Sequence, residues 1–315
     1  MARFFVAGLL VVALAGCGGS GRHGGPAPLD FSGLGSPPVI RVIGQDVIPA
    51  IVRPRFDRPA AVRGLLRGDD LIVGALVDGR PHAYPIGLLS LHEVVDDGPL
   101  AITWCPLCRT ALAFDRSVRG HTLTFGVSGL LLHANQVLYD RESGSLWSQL
   151  LGRAISGRYR GTRLRPIPLA EVTWGEWLRT HPDTLVLSVR RDRYATRFTH
   201  PYSYADFRGE ELSSDPYLAY TQKVNVYYPQ VVRGLAGSTL VVGVRIDGVA
   251  KAYPLYLLRH PISDLVAGRR FTIVPDPSAG SAAIFEHGTR LPATPVYWFA
   301  WRSFFPETLI YKGPG

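Results

Sequence analysis

Two stretches of this chain repeat each other, and the repeat is the strongest constraint on its fold. Residues 74–89 read GALVDGRPHAYPIGLL and residues 243–258 read GVRIDGVAKAYPLYLL. Gly74, Asp78, Gly79, Ala83, Tyr84, Pro85, Leu88 and Leu89 recur at one offset as Gly243, Asp247, Gly248, Ala252, Tyr253, Pro254, Leu257 and Leu258. Each copy is a strand, an Asp-Gly turn and a second strand, the signature of a β-hairpin. Weaker echoes extend the match. Arg63-Gly64 is answered by Arg233-Gly234, ALAFD (111–115) by AAIFE (282–286) and QVLYD (136–140) by TLIYK (308–312). The expected boundaries are 63–140 for repeat one, 141–232 for a middle segment and 233–312 for repeat two.

The surrounding patterns are also short and β-like. LAITW, TALAFDR, HTLTFGVS and QVLYDR carry alternating or continuous apolar runs of strand length. GLLSLHEVV reads as a short helix or a turn. Between the repeats, Glu171 to Thr180 is helix-like, with Trp174, Trp177 and Leu178 on one face, and DTLVLSV follows as a strand. Residues 190–230 read as a long ordered excursion. The expectation is a mainly β or α+β fold: two homologous β-rich repeats packed with pseudo-twofold symmetry and one short helical insert. A parallel βαβ architecture is excluded because long helical crossovers are missing.

The N-terminus points to a compartment. Arg3 precedes an apolar run from Phe4 to Ala15, which is short for a bilayer span and ends in Leu-Ala-Gly-Cys at Cys17. That pattern is a bacterial lipoprotein signal, so residues 1–16 are expected to be removed and Cys17 lipidated. Residues 17–38, rich in Gly, Pro and Ser, read as a flexible tether, and the folded domain is expected over 39–315. The protein is thus expected outside the cytoplasm, in the cell envelope, with the membrane as one partner through its lipid. An envelope protein or small ligand is the other expected partner. Net charge is +9, almost wholly from arginine. No nucleic-acid motif accompanies it, so nucleic acid is not expected as a partner.

Cys105 and Cys108, in ITWCPLCRTALAFD, are the remaining thiols once Cys17 is set aside. Repeat two replaces them with a Pro/Asp/Ser loop, which turns attention to function in repeat one. Three readings stand. The pair is a soft-metal site, copper first and zinc second, because a Cys-Pro-x-Cys turn aims two sulfurs to one side. Alternatively it is a redox pair, with Cys105 as nucleophile and Cys108 as resolver. The third reading is a structural disulfide, favoured by an oxidising compartment. His92, thirteen residues before Cys105, is the expected third metal ligand. Glu93 and Asp97 beside it would orient its imidazole. Whether the chain is an enzyme stays open. It shows no Ser-His-Asp triad, phosphate loop or dinucleotide fingerprint.

The motifs AYPIGLLSLHEVVDD, ITWCPLCRTALAFDR, TFGVSGLL, VLYDRESGSLWSQ, VTWGEWLRTHPDTLVLS, DPYLAY and WFAWRSFFPETLIY, in this order, resemble the bacterial and archaeal domain of unknown function 3179. The resemblance covers about residues 60–312. It implies no activity. It does imply that His92-Glu93, Cys105-Pro-Leu-Cys108, Phe114-Asp115-Arg116 and Tyr139-Asp140-Arg141 belong to the family pattern. It also implies secreted or lipidated members. His133, in LHANQ, departs from a usual asparagine-containing turn and is not implied as a family ligand.

Overall fold

The computed structural model describes residues 25–35, 39–188 and 234–313. The signal segment, Cys17 and the excursion at 190–230 lie outside the described residues. Mainly β structure is found, in several small sheets arranged in a propeller-like ring. Three α-helices accompany them among the described residues: α1 (Ile86–His92), α2 (Trp174–Thr180) and α3 (Trp298–Phe304). No helix among the described residues is long and apolar enough to cross a membrane.

The duplicated hairpins form as expected. Leu71–Val77 pairs with Arg80–Pro85 and Leu240–Ile246 pairs with Val249–Pro254, both antiparallel. Gly74 faces Ala83 in one and Gly243 faces Ala252 in the other. The turns take positive φ at both central residues, Asp78 (48°) and Gly79 (77°), then Asp247 (47°) and Gly248 (85°). That geometry matches the twist of the flanking strands, and Asp-Gly tolerates it better than most pairs.

The similarity runs further than the sequence echo. Each hairpin gains an antiparallel strand on one side, Ala170–Thr173 or Thr294–Tyr297. On its other side each gains a parallel strand, Leu185–Leu187 or Leu309–Ile310. The partner of TLIYK is therefore Thr184–Leu187 and not QVLYD, which belongs to a different sheet. In the first unit, two of the sheet's five strands come from the segment expected to be a middle connection. The two parallel pairings are one-strand additions in otherwise antiparallel sheets. In each unit the two added strands run in the same direction without being neighbours, and α2 or α3 crosses over the hairpin to join them.

Each crossover helix docks by one tryptophan on one glycine. A Cβ on Gly74 would stand 2.5 Å from the Trp177 ring, and one on Gly243 would stand 2.3 Å from the Trp301 ring. The indole N–H groups donate at 2.9 Å to Thr184 and Thr308, seven residues on in each case. His181 stacks on Trp177 and Phe305 lies against Trp301, with centroids 3.8 and 4.4 Å apart. Thr173 caps α2 by accepting from the Glu176 N–H, which explains why the helix starts at Trp174 and not at Glu171.

A second antiparallel set follows each hairpin. In the first unit it is Val94–Asp97, Leu100–Cys105 and Thr110–Asp115. In the second it is Ile262–Val266, Arg269–Asp276 and Ser281–Glu286. ALAFD and AAIFE are thus third strands of corresponding sets. Between the halves of unit one the chain inserts a further sheet, built on Phe125–Leu132, Asn135–Asp140 and Leu146–Ser148. This insert has no partner in unit two among the described residues.

One boundary is corrected. Part of the expected tether is packed on the fold: Ala27 N–H donates to Arg141 O, Asp30 N–H to Gly144 O and Ser156 Oγ to Asp30 O. Backbone bonds of this kind hold the 25–35 stretch against the inserted sheet, so the ordered part begins before residue 39. Asp115 pairs with Arg165, and Arg116 reaches Asp96, Gly98 O and Leu123 O. Tyr139 and Arg141 clamp Asp46, while Asp140 accepts from Ser143 and the Trp147 indole. These family motifs are therefore structural clasps.

Gly74→Ala and Gly243→Ala are each expected to destabilise the protein by about 1–3 kcal/mol, because a hydrogen-bonded indole cannot withdraw without losing its partner. Chemical denaturation of the two variants checks this, and comparable losses are expected at the two sites.

Candidate functional site

Leu100–Cys105 and Thr110–Asp115 form a hairpin whose last pair is Cys105 and Thr110. Cys108 sits in the connecting loop, followed by Arg109 at φ 49°. Strands lead into and out of the loop, so no helix N-terminus is present to stabilise a thiolate, as the sequence suggested. The two Sγ atoms are 2.8 Å apart, and both residues are buried, at 1% and 0% exposure. They are free thiols in this structure. Oxidation to a disulfide needs only small side-chain rotation from such a separation.

A buried polar network surrounds the pair. Asn135 Nδ2 donates to Cys108 Sγ at 3.2 Å and to Gln149 Oε1 at 2.7 Å. The Cys108 thiol donates to Ala134 O at 3.5 Å. Gln149 Nε2 donates to Thr103 Oγ1 at 2.9 Å and Thr110 O at 3.3 Å, and Thr103 donates to Leu112 O. Leu150 N–H donates to Asn135 Oδ1. Each of these side chains has its partners inside the protein, which is the condition for burying polar groups without loss. Burial, then the neighbouring Cys105, then the charge of Glu93 push the Cys108 thiol well above its ordinary range, against a smaller opposing effect of Asn135. The site keeps its thiol neutral.

The other residues expected here are placed as follows. His92 closes α1, is 3% exposed, and its Nδ1 lies 2.6 Å from Pro49 O, so Nδ1 donates to that carbonyl. Glu93 caps the helix in the left-handed region at φ 58°, and its carbonyl accepts from Trp104 N–H. Asp97 is not the orienting partner of His92. It takes a 2.6 Å contact from His82 Nδ1 and another from the Tyr84 hydroxyl. The second unit repeats this basic residue and carboxylate beside a tyrosine, as Lys251, Asp264 and Tyr253. Recurrence in both units marks it as part of the scaffold. Among the described residues, no three or more of His, Cys, Asp and Glu gather into a group able to hold a metal ion. His92 is therefore not gathered with the two sulfurs as a ligand set.

The cysteine loop is also where the two units meet. Tyr297 N–H donates to Cys108 O at 3.0 Å. Arg109 reaches Ala279 O at 2.7 Å and Gly280 O at 3.3 Å, and its guanidinium pairs with Glu171 at 3.2 Å. In return, Ser281 Oγ donates to Glu171 O at 2.8 Å. The hairpin tip of each unit thus touches the added strand of the other. Cys105, Leu107 and Cys108 share a hydrophobic core with Val241, Ala252, Val296 and Trp298.

Sequence reasoning missed Asn135 and Thr103 as partners of the cysteines. Gln149 stood out only within SLWSQ. Their common signal was weak: polar residues inside otherwise apolar strands, which must find partners when buried.

A family model described as protein of unknown function (DUF3179) matches residues 45–289. No curated protein and no solved structure matches significantly.

Glu171 is fully buried, and burial outweighs Arg109 to raise its carboxyl to about 7. Asp96 is raised likewise to about 7, by burial against the pull of Arg116. Each raised carboxyl binds its proton more tightly folded than unfolded. The stability it contributes is complete below the ordinary carboxylate range and is lost as pH rises through 7. Stability is expected to fall between about pH 4.5 and 8, and Glu171→Gln to flatten that slope. Urea melts of the two proteins across this range check it.

Proposed function

The chain belongs to the DUF3179 family, a premise that carries no activity with it, and from its site we propose a non-catalytic binding protein of the cell envelope, braced by a Cys105–Cys108 disulfide. The observation that carries this reading is a fully buried, mutually adjacent cysteine pair at the junction of the two units. A nucleophilic thiol needs access, and Cys105, the nucleophile of the redox reading, is buried at 1% exposure. A staple needs only proximity. In this reading the molecule is exported, lipidated at Cys17 and held at the membrane, and its thiols close in the oxidising space outside the cytoplasm. The two homologous units pack about an approximate twofold axis, an arrangement supported by the reciprocal hairpin-tip contacts. The ligand lies between them.

A second reading is soft-metal binding, copper before zinc. It is favoured by the adjacency of the two sulfurs, with the Asn135 amide donating to Cys108. Such a site is two-coordinate, which suits Cu(I) and not a tetrahedral zinc centre.

Thiol titration in denaturant and metal analysis of one sample separate the readings. The expected result is no titratable thiol at Cys105 and Cys108 and no bound metal. Reduction should then cost about 2 kcal/mol, the chain-entropy value for so short a loop. Two titratable thiols with near-stoichiometric copper, lost in the Cys105→Ser/Cys108→Ser variant, would overturn the disulfide in favour of the metal.

A further inference from the structure

We infer that a cleft between the inserted region of unit one and unit two binds an oxyanion that carries an apolar portion. The inference rests on the reading of the chain as a binding protein and names its ligand class. The cleft encloses about 400 Å³ and is walled by apolar side chains including Phe114, Leu150, Leu164 and Pro292. Arg163 and Arg245 line it from opposite units. Arg153 faces Arg163 directly across an isolated antiparallel bridge, and lines an adjoining cleft of about 570 Å³. Leu151 borders both spaces.

Three guanidinium groups from three chain segments thus converge. Like charges facing each other across a strand pair are destabilising. Partial burial, then the charges of Arg163 and Arg153, lower the pKa of Arg245. Among the described residues, no carboxylate forms an ion pair with Arg153, Arg163 or Arg245. Arg269 also lines the cleft, and it is paired with Glu286 and Asp247. Arg163 and Arg245 are the lining guanidinium groups left for a ligand. Arg245 is held in place by lying 4.8 Å over the Phe305 ring, on the element that docks Trp301. A planar guanidinium donates to phosphate and carboxylate in pairs, and two or three of them form a receptor for such a group. The apolar wall then takes the rest of the molecule.

The test uses the full chain in low-salt buffer with three probes: inorganic phosphate, octyl phosphate and octanoate. Calorimetric titration should show saturable binding of octyl phosphate or octanoate, at least tenfold tighter than inorganic phosphate. The two organic probes distinguish a phosphoryl head from a carboxylate. Arg163→Gln/Arg245→Gln should weaken that binding at least tenfold, while Arg270→Gln, beside Ser263 on an exposed strand, should leave it unchanged. Without ligand, the double variant should melt no lower than the native protein, because repulsion is relieved. No saturable binding of any probe, or equal affinity in the double variant, would overturn the inference. The thiol count of the same sample reports on the disulfide separately. A closed disulfide without ligand binding would sink this ligand class alone.

Discussion

One packing contact organises each half of the molecule: an indole ring lying flat on a glycine. Gly74 under Trp177 and Gly243 under Trp301 allow a helix to cross close over its hairpin. That crossing returns the chain in the right direction to add a parallel strand. Without the close approach, the helix would stand off from the sheet and the short connection could not reach the far edge. Thr184 and Thr308 complete the device by accepting from the indole N–H, so the large ring is buried with its polar atom satisfied.

With the sheets so built, the second hairpin of each unit is left to project toward the other unit. The tips differ in chemistry but share a task. Cys108 and Arg109 meet Tyr297, Ala279 and Gly280, and Ser281 meets Glu171. Arg109 is the central link, since its five donors bridge a buried carboxylate and two carbonyls of the opposite unit. The cysteines lie one residue from that link. Their burial and their internal hydrogen bonds fit a group that holds geometry, which is why the binding reading is preferred to a catalytic one. Electrostatics adds a second asymmetry. The cleft between the units carries Arg163 and Arg245, neither with an acid partner among the described residues, and Arg153 faces Arg163 from the adjoining cleft.

Much of the fold was legible in the chain. The duplicated Asp-Gly hairpins, a short helix ending at Thr180 and the strand after it were readable from local pattern. Alternation, turn chemistry and capping act over a few residues, so a linear reading captures them. The pairing of QVLYD with TLIYK was misread because short apolar strands look alike. Thr184–Leu187 matches TLIYK equally well, and its identity depends on which hairpin it lies beside. The tether was drawn too long for a related reason. Gly, Pro and Ser composition reports on solubility and chain freedom, but Asp30 and Ala27 are held by carbonyls more than a hundred residues away.

The candidate site divides in the same way. The sequence by itself determined that Cys105 and Cys108 stand close, because two intervening residues in a hairpin loop leave little choice. It also determined that the hairpins of the two units share one turn geometry. Only the tertiary structure decided that His92 turns to Pro49 O, that Asp97 serves His82 and Tyr84, and that Asn135 and Gln149 surround the sulfurs. It alone brought Arg163 and Arg245 to one cleft, with Arg153 in the adjoining one. The reason is physical: a side chain's partner across the core is set by how sheets pack, and that depends on the whole chain at once, whereas strand, turn and cap depend on neighbours only a few bonds away.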